Sequence, residues 1–432
     1  MMILVATIII LAYMINNLFG LGMMFVYVFT KFAMAKRGTM IQTSLSLMIM
    51  ALPMAYIGFA GTTMHQVFSW YNMFLVLFIF VVIASFAMWI PIKKLATSLI
   101  VTVVFCLFIN MIWTNNISGS LVEIAQLLVM VIPILIIHTL RDKLDITHDT
   151  VCSLIGNYVD VCVATAIAML AQYVMYYIFG MRIGIIHFTG GGRVAFYALF
   201  RGASILPVYM GIGIVYLFIE CFEKKVTRGN LIKMVIIFMA VVLNTSRTGL
   251  FALMAVMVLI SIKYIIKAPS AKGIFISILG FVGAYFAINY ITTLRSKLTS
   301  FLDANGRIAT WNNGIKIWLA NIKNFFLGEG FTGERWDGVT KPHNMVIQTL
   351  AQCGIIVAVI LTCMMIKYLV DHRRNPYVFI PMYIILAGMF VTDFYANAFT
   401  TVILILLDLY YGTLIRENVI KSRTGSEGHY LE

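Results

Sequence analysis

The chain has 432 residues, 62% of them hydrophobic and 11% charged. A soluble domain is about half apolar and about a quarter charged, so a soluble enzyme with a membrane tag and a disordered chain are both excluded. Lys and Arg number 31 against 17 Asp and Glu, a net charge of +14. The cysteines at 106, 152, 162, 221, 353 and 363 form no CxxC pair, which argues against a disulfide scaffold or a zinc site.

A helix that crosses the hydrocarbon core needs about 20 apolar residues. Residues 1–30 are apolar but hold Asn16-Asn17 and Gly20. They read either as one long tilted helix or as a short hairpin. They lack the basic n-region and small-residue cleavage site of a removed signal peptide. Further spans are predicted at 40–60, 72–92, 95–113, 120–138, 150–180, 203–221, 232–247, 249–266, 274–292, 343–367, 378–393 and 397–415. The expected fold class is all-α and polytopic, with about 12–14 transmembrane helices. Residues 1–432 form a single integral membrane domain, with a large loop at 293–342 within it.

Orientation follows from the Lys/Arg bias of the loops. Short basic turns carry Lys31, Lys36 and Arg37, then Lys93-Lys94, Arg141 and Lys143, Lys224-Lys225 with Arg228, Lys267 and Lys272, Arg373-Arg374, and the tail from Arg416. All fall on one side, predicted to be cytoplasmic. The other side is also basic. It carries Arg182, Arg193, Arg201, Arg247, Arg295, Lys297, Arg307, Lys316, Lys323, Arg335 and Lys341. Headgroup contact accounts for isolated residues of this kind. An arginine-rich group suits bidentate recognition of phosphate or pyrophosphate.

Two loops carry that charge. In the first, 181–201, Gly190-Gly191-Gly192 precedes Arg193 and gives a flexible or tightly turned backbone. The second, 293–342, is the long one, and fifty structureless residues are not expected in a compact protein. Within it Ile308, Trp311, Ile315, Trp318, Ile322 and Phe325 recur at steps of three and four. That spacing predicts an amphipathic helix over 307–326, lying on the outer interface with its tryptophans at headgroup depth. Arg307 stands at its start.

Arg247, in Asn244-Thr245-Ser246-Arg247-Thr248-Gly249, is placed at the outer boundary of the core, where an ionisable residue needs a cavity, a partner or a headgroup. His343 follows Lys341-Pro342 and precedes Asn344. It stands at the outer mouth of a span, and its ordinary titration range suits proton transfer. Asp160, Glu123 and Asp408 lie inside spans and are expected to pair with outer or inner arginines rather than to form a proton path. There is no Walker motif and no GxGxxG after a strand, and the outer loops hold no DxD pair. The donor is therefore expected to arrive already activated. A lipid pyrophosphate fits, because arginines stabilise its leaving group.

Four segments together resemble the O-antigen ligase and polymerase superfamily of membrane glycosyltransferases. They are Asn-Thr-Ser-Arg-Thr-Gly (244–249); Gly306-Arg307-Ile-Ala-Thr-Trp311 followed by Gly328-Glu-Gly330-Phe331; Pro342-His343-Asn344 through Leu350 and Gly354; and Gly192-Arg193-Val194. The resemblance is strongest over about 190–360. The frequent Asn-Pro-Asn after the arginine is absent, and Arg201-Gly202 stands instead, so either Arg193 or Arg201 takes that role.

The resemblance implies a GT-C-like helical fold in the bacterial cytoplasmic (inner) membrane, with an active site on the periplasmic or extracellular side. It implies an undecaprenyl-pyrophosphate-linked glycan donor and metal-independent, inverting transfer without a cofactor. Arg247 and Arg307, with Arg193 or Arg201, would hold the pyrophosphate beside Asn344, and His343 would deprotonate the acceptor hydroxyl or orient the reacting groups. The leading expectation is a polysaccharide polymerase acting on lipid-linked oligosaccharides. A ligase moving the glycan to lipid A–core is the alternative, and a lipid-linked-oligosaccharide flippase is the non-enzyme alternative. Membrane lipid and a chain-length regulator are the expected partners; no nucleic acid is.

Overall fold

Asn16 settles the first ambiguity of the chain. Its extended backbone ends α1 (Met2–Ile15), and its side chain accepts hydrogen bonds from Leu18 N at 2.8 Å and Phe19 N at 3.3 Å. That cap starts α2 (Asn17–Met34). The two helices pack so closely that a Cβ on Gly20 would lie 2.2 Å from the Tyr13 ring. Residues 1–34 are thus a helical hairpin.

The computed structural model describes residues 1–57, 69–85, 94–189, 193–200, 202, 204–224, 226–244, 246–267, 271–295, 307–336, 341–390 and 397–423. Beyond the hairpin, the helices are α3 (Met40–Ala51), α4 (Trp70–Ser85), α5 (Lys94–Asn110), α6 (Ile117–Leu140), α7 (His148–Phe179), α8 (Ile205–Glu223), α9 (Arg228–Leu243), α10 (Arg247–Lys267) and α11 (Ala271–Arg295). The remainder are α12 (Arg307–Trp318), α13 (Ile322–Leu327), α14 (Met345–Asp371), α15 (Phe379–Gly388) and α16 (Ala398–Arg423). Among the described residues seven helices are long and apolar enough to cross a membrane, and six shorter apolar helices accompany them. The chain is an all-α, multi-pass membrane protein. Its one described sheet is a hairpin, β1 (Ile186–Thr189) against β2 (Arg193–Phe196).

The helices long enough to span are mostly apolar all round, as membrane spans are. Their burial sorts them into layers. The central helix α8 is buried along nearly its whole length, with Tyr209 and Phe218 in the core beside Tyr158 and Cys162 of α7. The outer helices expose Phe25, Phe29, Phe80, Phe105, Val235, Phe275 and Ile278, a belt suited to lipid tails. Three acids are paired. Lys233 Nζ lies 2.6 Å from Asp160, Lys341 Nζ 3.5 Å from Glu123, and Arg141 Nη1 3.1 Å from Asp408. The acids do pair, but the arginine expectation holds only for Asp408; Asp160 and Glu123 take lysines instead.

Contacts divide the bundle into two ends. At one, Arg141 meets Asp408 and His372, Tyr377 meets Glu220, and Arg416 Nη2 donates to Ile146 O at 2.7 Å. The turns at 141–147, 224 and 372–378, which the sequence grouped as one basic side, therefore meet there. At the opposite end Gly184 N donates to Met14 O at 2.8 Å, and Thr114 Oγ1 meets Thr332 Oγ1 at 2.9 Å. Ring contact between Tyr56 and Phe200 joins two more turns there. This loop end carries the candidate site.

Candidate functional site at the loop end

The predicted helix over 307–326 is two helices, α12 and α13, with a turn at 319–321. Asn321 adopts extended backbone and caps α13 by accepting from Asn324 N at 2.8 Å. Asn324 Nδ2 reaches back to Ile317 O at 3.0 Å, and Trp318 Nε1 donates to Phe325 O at 3.0 Å while its ring stacks on that phenylalanine. A strong local cap and two side-chain bonds thus override the continuous periodicity.

The tryptophans do not form the outward face. Trp311 Nε1 is shielded from solvent, and Trp336, Ile317 and Ala351 share one apolar cluster. Ile308, Ile315, Leu319 and Ile322 are exposed instead. The buried face follows Gly314 and Ile317, one step round from the apolar register seen in the sequence.

Gly314 explains how α12 meets α14. A Cβ there would lie 2.7 Å from Ile347 Cγ2 and 3.1 Å from Pro342 Cγ. Bare backbone lets α12 lie directly on the Pro342–Ile347 segment. His343 and Asn344 sit within that segment, and Arg307 is the first residue of the same α12. His343 is half-buried and its Nδ1 is shielded from solvent. Asn344 is buried, and its Oδ1 caps α14 by accepting from Val346 N at 3.0 Å and Ile347 N at 3.1 Å. The capping role occupies its carbonyl oxygen.

A second device holds the arrangement. α14 is interrupted at Gly354, whose φ is +74°, a left-handed conformation that glycine adopts at low cost. The interruption frees carbonyls inside an apolar bundle, where each lost hydrogen bond costs several kcal/mol. The segment Gly328-Glu329-Gly330 satisfies them. Glu329 N donates to Ala351 O at 2.8 Å and Gly330 N to Gln352 O at 2.9 Å. Gly328 and Gly330 also have positive φ, and a Cβ on Gly328 would lie 2.4 Å from Gln352 C. A Cβ on Gly354 would lie 2.3 Å from Phe326 O. The glycines seen in the sequence are thus the contact surface between α13 and the broken helix.

The Glu329 carboxylate is buried, accepts from Asn324 Nδ2, and receives Arg335 N at 3.4 Å. Lys323 sits over the Trp113 ring at 5.3 Å. Burial pushes its ammonium below the usual lysine range, with Glu329 opposing that shift.

A separate contact ties the turn before α10 to the end of β2. Arg247 is the first residue of α10, and Arg193 the first of β2. Asn244 Nδ2, buried in the turn before α10, donates to Phe196 O at 3.4 Å. Gly249 lies against Pro207, and Tyr383 Oη donates to Pro207 O at 3.2 Å. Arg201 lies outside the described residues. The structure therefore places Arg307 and His343 on one packed unit, and Arg193 and Arg247 on another, both at the loop end. No group of three or more His, Cys, Asp or Glu able to hold a metal occurs among the described residues.

Sequence reasoning missed Asn110, Asn324, Gln348 and Gln352. Gln348 Nε2 donates to Gln352 Oε1 at 3.0 Å, and both side chains are fully buried. Their signal was available: with Asn344 they form an i, i+4, i+8 stripe of amides on an otherwise apolar span.

Residues 232–362 match the family model described as O-antigen ligase. The matched segment runs from α9 into α14 and includes Arg247, Arg307, His343, Asn344 and the three glycines of the helix break. Arg193 and Arg201 lie outside it. No curated protein matches the chain.

Proposed function

From the match of residues 232–362 to the O-antigen ligase family model, we propose that the chain is a polysaccharide polymerase. It transfers glycan from an undecaprenyl-pyrophosphate donor to a lipid-linked acceptor glycan. The observation that carries this reading is the contact of α12 with Pro342 and Ile347 across Gly314. It puts a helix that begins with arginine against the segment that holds the histidine.

The chemistry follows from the residue types. The Arg307 and Arg247 guanidiniums, with Arg193 or Arg201, bind the pyrophosphate and stabilise the charge that builds as it leaves. His343 takes the proton from the acceptor hydroxyl. The acceptor oxygen bonds to the anomeric carbon from the face opposite the departing pyrophosphate, so configuration inverts. The shielded setting of the His343 Nδ1 strengthens these electrostatic effects. The reaction runs on the extracytoplasmic side of the bacterial inner membrane, without metal, and a chain-length regulator protein sets the product size.

Surface glycan from a His343→Ala strain, compared with a clean deletion, tests the assignment. A polymerase leaves single capped repeat units in both. A ligase leaves no glycan attached to lipid A–core. A flippase is distinguished in liposomes, where it moves the lipid-linked sugar across without extending it.

A further inference from the structure

Asn110 closes α5, outside the matched segment, and is 3% exposed. Its Nδ2 donates to Leu327 O and, at 3.5 Å, to Gln352 O. These carbonyls belong to different pieces of the site. Leu327 ends α13, and Gln352 lies two residues before the break in α14. One amide from a third helix therefore pins the joint between them.

The break makes that joint consequential. Met345–Cys353 is a half-helix about 13 Å long. It is tied to α12 through Gly314, to the Gly328–Gly330 segment through two backbone hydrogen bonds, and to Ile317 and Trp336 through Ala351. The half-helix, α12 and α13 thus form one packed unit that carries both Arg307 and His343. The unit meets the rest of the bundle at several places, among them Gly354, the Thr114–Gly333 bridge, Lys323 over the Trp113 ring, the packing of Cys353 with Cys106 and Leu107, and Asn110.

We propose that Asn110 is a positioning residue. By holding the Leu327 and Gln352 carbonyls together it sets the angle of the half-helix, and so the placement of His343 against Arg307, while touching no substrate. The proposal rests on the transferase reading for its catalytic consequence, but its structural part stands apart from it.

The test uses the full chain in lipid nanodiscs with Cys363→Ser, spin labels at exposed Asn313 and Val346, and the variant Asn110→Leu. The unchanged protein should give one narrow label-to-label distance. Asn110→Leu should broaden it, and should lower kcat on a lipid-pyrophosphate glycan about 10- to 100-fold with donor KM within about twofold. Asn110→Ser keeps a donor too short to reach both carbonyls and should lie between; it carries the test if the leucine variant does not fold. Unchanged distance and turnover in the variants overturn the proposal, as does lost turnover with an unchanged distance. If the unchanged protein transfers no glycan while Asn110→Leu still broadens the distance, the transferase reading fails and the clamp stands.

Discussion

Arg141 Nη1 lies 3.1 Å from Asp408 Oδ1, and that same oxygen is 3.1 Å from His138 Nδ1 and 3.2 Å from His372 Nε2. One fully buried carboxylate inside α16 thus holds the ends of α6 and α14, opposite the candidate site. Removing a partner from a buried pair leaves an uncompensated charge and costs about 3–5 kcal/mol. Arg141→Leu should lower the thermal midpoint in detergent sharply. Arg141→Leu with Asp408→Leu should recover much of that loss, because no charge is then left buried. Additive losses would show that the two residues act independently.

Asn344 separates capping from ligand contact. Asn344→Asp keeps the oxygen that accepts from Val346 N and Ile347 N, so thermal stability should hold. Asn344→Ala should cost about 1 kcal/mol. If the amide nitrogen meets substrate, Asn344→Asp loses turnover at unchanged stability. Full turnover in Asn344→Asp would confine this residue to capping.

Gly314→Val inserts a branched side chain between α12 and the Pro342–Ile347 segment, where even a Cβ would stand 2.7 Å from Ile347. Since α12 must then lift away, glycan transfer should fall at least as far as in Arg307→Ala. Assay of membranes with matched protein levels checks this.

Arg307→Lys keeps charge but loses the planar fork that engages two phosphate oxygens. Donor KM should rise and kcat fall, together costing about 10- to 100-fold in kcat/KM. Arg307→Gln should cost more. Equal activity of arginine and lysine would point to simple charge attraction at this position.

Most of the span layout was legible because lipid imposes one rule: about 20 apolar residues per crossing. That rule does not reveal the hairpin at 1–34, because its helices have only 14 and 18 residues; the capping geometry of Asn16 decides. The α12–α13 turn was hidden for a similar reason. Periodicity reports a face, whereas Asn321 and Asn324 act through local hydrogen bonds that periodicity does not contain. Gly328, Gly330 and Gly354 were visible as a resemblance, but their purpose was not. It lies in backbone meeting backbone across residues distant in sequence, and no side-chain pattern encodes that. Arg307 and His343 were legible as residue types, and the packing of Gly314 adds their shared unit.

The most direct measurement is a purified one. The protein in nanodiscs, given a defined undecaprenyl-pyrophosphate oligosaccharide and no metal or nucleotide, should form longer lipid-linked glycans and release undecaprenyl pyrophosphate. His343→Ala and Arg307→Ala, folded and embedded, should form neither. Elongation by the His343→Ala and Arg307→Ala proteins at the rate of the unchanged chain would contradict the account.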